Sequence, residues 1–165
     1  MRFALIDRIV SLEPGSRIAA VKSPSLTEEY LHDHFPLFPV MPGVLMLESM
    51  YQAAAWLLRV TDNFALSVIL LKEAKNVKYS GFVRPGEKLE VTAEIVKRED
   101  RLTVLKASGR LGETSVAAAR LVIESTNLAD QAAVNSTIDE IIRQRLRREL
   151  LSLYHDLRNG NGIRR

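Results

Sequence analysis

Apolar positions alternate every second residue over much of this chain, and the period changes to a helical one in two places. Phe3 to Leu12 alternates loosely and is rich in Ile, Val and Leu, which predicts a first strand. Glu13-Pro14-Gly15-Ser16 is a turn signal, and Arg17 to Lys22 is its predicted hairpin partner. Ser25 to Glu29 has the spacing of a capping box, Ser25 to Glu28, and predicts a short helical turn. Gly43 to Val60 is apolar nearly all round, with Val44, Leu45, Leu47, Met50, Ala53, Ala54, Leu57 and Leu58 on more than one face. A helix of that kind is buried. Four strand-like runs follow: Ala65 to Tyr79, Lys88 to Arg98, Arg101 to Leu111 and Thr114 to Ser125. Their short connections predict an antiparallel meander. Residues 1–125 therefore read as one α+β domain, an antiparallel sheet wrapped around one long central helix.

Residues 126–165 read as a helical C-terminal extension. A polar stretch, Asn127 to Ser136, leads into a predicted helix from Thr137 to about Arg158, with a capping box from Thr137 to Glu140. Its stripe of Ile138, Ile141, Ile142, Leu146, Leu150, Leu153, Tyr154 and Leu157 is expected to pack, leaving the arginines on the opposite, solvated side.

Composition narrows the chemistry. The 165 residues contain no cysteine, which excludes a disulfide scaffold, a thiolate nucleophile and Cys-based metal sites. The first residues carry Asp7 and no small-residue cleavage site, and Glu48, Gln52 and Arg59 break the longest apolar run. The expectation is a cytoplasmic protein without membrane insertion. A net charge of +3 suits an acidic partner. Nucleic acid is not expected, because Glu140, Glu149 and Asp156 dilute the Arg143–Arg148 run.

The chemistry concentrates in Asp33 to Gln52. Pro36, Pro39 and Pro42 fix φ and remove amide donors, so His34 to Pro42 is expected to be a stiff, extended loop. His34 suits a general base or acid, the usual roles of an imidazole. Glu48, in a helix expected to be buried, suits a general acid, since desolvation raises a carboxyl pKa. The amides of Gly43 and Val44 open the helix and can bind a carbonyl oxygen that becomes an enolate; Gly43 has no side chain to obstruct a substrate. These parts suit removal of a proton next to a thioester carbonyl and expulsion of a β-hydroxyl. Glu48 lies about 7–8 Å along the axis from Gly43 at 1.5 Å per residue, deep enough that its own His34 is out of easy reach. A two-fold dimer would let the pair come from different subunits. His32-Asp33-His34 lacks a third ligand at a recognisable spacing, so no metal is expected.

His34-Phe35-Pro36, Pro39-Val40-Met41-Pro42-Gly43-Val44-Leu45 and Leu47-Glu48-Ser49-Met50-Tyr51-Gln52 resemble the signature of the 3-hydroxyacyl-[acyl-carrier-protein] dehydratases, the FabZ and FabA enzymes of type II fatty acid synthesis. The resemblance covers about Phe3 to Glu124 and implies the hot-dog fold. It further implies dehydration of a (3R)-3-hydroxyacyl chain on acyl carrier protein to the trans-2-enoyl thioester, without cofactor or metal. His34 and Glu48 would act from opposite subunits of a homodimer, for which a trimer of dimers is the larger assembly open to it. The Gly43 and Val44 amides would hold the thioester carbonyl, and Gln52 would orient the acid or a water. Glu at position 48 is FabZ-like, whereas Pro39 to Gly43 and Tyr51 lean toward FabA and leave double-bond isomerisation open. Asp33 stands where the family usually has glycine, and Ser80 to Arg84 replaces its basic Arg-Pro approach to the following turn. Two other readings stay beside the main one: an acyl-carrier-binding or complex-forming subunit with weakened catalysis, and a hot-dog acyl thioesterase.

Overall fold

The structure is a computed structural model that describes residues 3–130, 132 and 135–154. Strands β1 (Arg8–Glu13) and β2 (Arg17–Lys22) form the predicted hairpin, and helix α1 (Glu29–Asp33) follows. The long helix α2 spans Gly43–Thr61; β3 (Val68–Tyr79), β4 (Leu89–Glu99), β5 (Leu102–Leu111) and β6 (Thr114–Thr126) complete the sheet. A short 3-10 turn at Leu128–Asp130 leads into α3 (Ser136–Leu153).

The inward face of the sheet comes from strict alternation. Leu89, Val91 and Ala93 on β4, Leu105 and Ala107 on β5, and Ala119, Leu121 and Ile123 on β6 are buried at every second position. They close on Met50, Ala53, Ala54, Leu57 and Leu58 of α2, which are wholly inaccessible. Each such leucine contributes about 1.5–3 kcal/mol by its burial. Three alanines in a row, Ala53 to Ala55, let the sheet come close to the helix, and α2 touches all six strands. The N-terminal part of the helix departs from the expected full burial: Val44 is 64% exposed and Leu45 and Leu47 are only half-buried.

The strand order is β1-β2-β4-β5-β6-β3, antiparallel throughout. This corrects the expected four-stranded meander. Only β4, β5 and β6 are joined by two-residue turns; β3 crosses to the far edge and pairs with β6. The β3–β4 connection, residues 80–88, is long enough to make that crossing, whereas a tight hairpin would have forced the two strands together. Its middle is held down by Val83, which is fully buried and accepts a hydrogen bond from the Met41 amide at 2.8 Å.

Two local expectations are also corrected. The Ser25–Glu28 pair makes half of its capping box, Ser25 N donating to Glu28 Oε1 at 2.9 Å, but α1 begins one turn later and Glu28 occupies the N-cap position. At α3 the N-cap position belongs to Asn135, and Thr137 lies inside the helix with no capping bond. Asp139, in the first turn of α3, is 1% exposed and accepts instead from the Leu128 and Ala129 amides of the 3-10 turn, both at 2.9 Å, and from the Ser67 hydroxyl. One carboxylate thereby ties α3, the 3-10 turn and the start of β3 together.

The extension packs as expected through Leu146, Leu150, Leu153 and Tyr154, while Ile138 and Ile141 remain exposed. Residues 155–158 of the predicted helix, with Leu157, lie outside the described residues. Two arginines depart from the solvated role expected of them. Arg143 donates to the Ala65 carbonyl at 2.9 Å, and Arg147 donates to Asn63 O at 2.6 Å while lying 4.7 Å over the Phe64 ring. Asn63 and Phe64 have φ of 47° and 59°, so the chain leaving α2 turns its carbonyls away from any regular ladder. Arginines at the negative end of α2 satisfy them.

Candidate active site

His34 is the C-terminal boundary of α1, its amide bonded to Tyr30 O at 3.3 Å. Its ring Nδ1 lies 3.0 Å from the Val40 carbonyl. A carbonyl can only accept, so this contact places the proton on Nδ1 and leaves Nε2 with the free lone pair. Val40 and Met41 are buried at 0% and 1% exposure, so the carbonyl that aims the imidazole belongs to a fixed part of the core. The loop between is folded back, not extended as expected: Phe35 has φ 50° and Phe38 N bonds Phe35 O at 2.8 Å. A phenylalanine in the left-handed region costs on the order of 1–2 kcal/mol. That strain sits next to the histidine, where such outliers concentrate in functional sites.

Pro42 is the N-cap of α2, and its carbonyl takes the amides of Leu45 at 2.9 Å and Met46 at 3.2 Å. The first two amides, Gly43 and Val44, have no acceptor within the helix and form its positive end. The Tyr79 ring covers Gly43 so closely that a Cβ there would stand 3.1 Å from the ring's Cγ. Gly43→Ala is therefore expected to displace Tyr79 or the helix start and to lower kcat/KM about tenfold or more, with little change in melting temperature. Steady-state kinetics beside a thermal melt checks this.

Glu48 is half-buried, not fully buried as expected. Its Oε1 accepts from Gln52 Nε2 at 2.9 Å, one helical turn on. The same amide is fixed by the chain's first segment: Gln52 Oε1 accepts from Leu5 N at 2.8 Å, and Nε2 also donates to Phe3 O at 3.1 Å. A backbone N–H on Oε1 forces the NH2 toward the carboxylate, so Oε2 of Glu48 is the oxygen left free. Within one chain His34 and Glu48 do not hydrogen-bond each other. Glu48 opens instead into a cleft of about 250 Å³ between α2, the first segment and α3, with Trp56 and Leu146 among its walls.

On the side of His34 the surface is apolar. Phe35, Leu37 and Phe82 are 54%, 101% and 61% exposed, Phe82 meets Phe38 edge-on at 5.7 Å, and Arg84 lies 4.9 Å over the Phe38 ring. Of the residues singled out in the sequence, Gly43 and Val44 gather at the helix start and Glu48 with Gln52 one layer deeper. Tyr79 was not foreseen. It reaches Gly43 only because β3 crosses the sheet, and no local pattern carries that placement.

A family model described as "FabA-like domain" matches residues 1–120. The chain is 34% identical over 128 residues to the 3-hydroxyacyl-[acyl-carrier-protein] dehydratase FabZ of Pediococcus pentosaceus, covering 76% of this chain and 86% of that protein. It is 38% identical over 119 residues to the FabZ of Symbiobacterium thermophilum, covering 72% and 84%. Among solved structures, the dehydratase heterocomplex ApeI:P from Xenorhabdus doucetiae superposes with a TM-score of 0.62 at 14% identity over 81% of this chain and 90% of that one. A Streptococcus mutans protein bound to acetyl CoA gives 0.59 at 15% identity over 77% and 93%. Those two likenesses carry the fold, a sheet curled around one helix; the family match and the identities carry more, and the chain belongs to the FabA-like family.

Proposed function

We propose that this protein dehydrates (3R)-3-hydroxyacyl chains on acyl carrier protein to the trans-2-enoyl thioester. The observation that carries the proposal is the pairing of a histidine whose Nε2 is left free with a glutamate whose Oε2 is left free. His34 Nε2 takes the proton from the carbon next to the thioester carbonyl. Charge then gathers on the carbonyl oxygen, and the Gly43 and Val44 amides face it at the positive end of α2. As the C–O bond at the β-carbon breaks, the protonated Glu48 carboxyl gives its proton to the departing hydroxyl, and water leaves. Gln52 keeps the carboxyl in place throughout.

Glu48 comes from the partner subunit in this reading. Two features support a two-fold dimer. The outer edge of β3 is unpaired along its length, and the apolar side chains around His34 stand in solvent in the single chain. The cytoplasm is the setting that goes with a soluble carrier-bound substrate. Product analysis over a panel of 3-hydroxyacyl carrier substrates tests the proposal. The expected product is the enoyl thioester; free thiol would indicate hydrolysis instead, and bound but unchanged substrate a binding subunit.

A further inference from the structure

The cleft that starts at Glu48 contains a cation that the proposed chemistry does not use. Glu48, Gln52 and Trp56 form one row along α2, and Tyr51, Ala55 and Arg59 the next, all facing the same space. From Glu48 to Arg59 the helix rises about 16 Å at 1.5 Å per residue, and the arginine side chain leans back over the previous turn. Its guanidinium carbon lies 5.1 Å over the Trp56 ring. The ring face uses none of the five N–H donors. Nε is buried with no hydrogen-bond partner among the described residues, and burial lowers the arginine's pKa, with Tyr51 opposing. A half-buried guanidinium beside an aromatic wall, with an Nε that has no acceptor among the described residues, leaves a strong demand for one.

Leu146 and Glu149 of α3 also line this space, so the extension supplies part of its wall. Its apolar lining of Ala55, Trp56 and Leu146 suits methylenes, and the cation stands beyond them. We infer that Arg59 is a specificity-determining residue that receives an oxygen acceptor on the distal part of a medium-length acyl tail. This rests on the dehydratase reading above for the thioester end of the ligand. A carboxylate and a neutral carbonyl both offer the cation an oxygen that accepts its N–H donors, the carboxylate with charge in addition. The shared chemistry is the oxygen acceptor, and the test separates the two sources.

The chain has a single tryptophan, so its fluorescence reports this cleft directly. Three saturated acyl-pantetheine thioesters of equal length, ending in methyl, carboxamide and carboxylate, are titrated against the full chain. Tighter binding of at least one oxygen-bearing tail, roughly ten- to hundredfold over methyl, is expected. The preference should collapse in Arg59→Met and shrink in Arg59→Lys, which keeps the charge but loses the planar fork. Equal or tighter binding of the methyl tail overturns the inference. So does a preference unchanged in Arg59→Lys, a variant that retains the buried stem and guards against loss of folding. The same tails on 3-hydroxyacyl substrates are then assayed for dehydration. Tail preference without any dehydration would sink the proposed function alone, and dehydration without tail preference would sink this inference alone.

Discussion

His34→Ala and Glu48→Gln are each expected to lower kcat by roughly 10²–10⁴, the range for losing a positioned acid or base. Glu48→Gln keeps the size of the side chain and an oxygen that can accept from Gln52, so folding should be spared while the transferable proton is lost. The informative measurement is made on the two variants together. In a mixed dimer one site combines the intact His34 of one subunit with the intact Glu48 of the other, and the second site lacks both. Random exchange of subunits makes half of the dimers mixed, so activity should return to about a quarter of the wild-type value. Each variant alone stays inactive. Failure of the mixture to recover, with exchange verified, would mean that each chain works by itself. Undiminished turnover in both single variants would remove the pair from the mechanism altogether.

Loss of Asp139 is the second large effect expected. Its carboxylate is shared among three donors from two segments, so Asp139→Ala strands the Ser67 hydroxyl and the Leu128 and Ala129 amides at once. A fall in Tm on the order of 5 °C or more is expected, together with release of α3 from the wall of the Glu48 cleft. The charge itself can be tested by pH. Burial alone would raise the Asp139 pKa, but the Ser67 hydroxyl, the Ala129 and Leu128 amides and the charge of Arg143 outweigh it, and the net direction is down. A carboxyl whose folded pKa is lowered stabilises above its unfolded pKa, about 3.9, and that contribution disappears as pH falls from there through the folded value. The Tm difference between wild type and Asp139→Asn should therefore be widest near neutral pH and narrow in acid. A difference that stays constant across that range would show that shape, not charge, holds the extension.

Much of this arrangement was legible in the chain because it is local. The apolar run from Gly43 and the proline before it place the start of α2 at the observed residue, and the Pro-Gly turn places β2 at Arg17–Lys22 without error. The residues of the candidate site were legible for another reason: their spacing matches a family signature. What escaped was non-local. Pairing β3 with β6 depends on a crossover whose direction no periodicity encodes, and Tyr79 over Gly43 follows from that crossover. The arginines of α3 read as a solvated face because charge pattern alone does not reveal that Asn63 and Ala65 turn bare carbonyls toward them. Glu48 was expected too deep, since the apolar count of α2 conceals that its first turns look outward.

The grip of Leu5 and Phe3 on Gln52 changes the standing of the segment before β1. Such a segment would ordinarily be treated as dispensable, a place to trim or to attach a fusion. Here two of its peptide groups fix which way an amide faces, and that amide fixes which oxygen of Glu48 is free. Shortening the chain past Leu5 is thus equivalent to editing Glu48, the acid of the proposed mechanism, although no residue of the signature would have been touched.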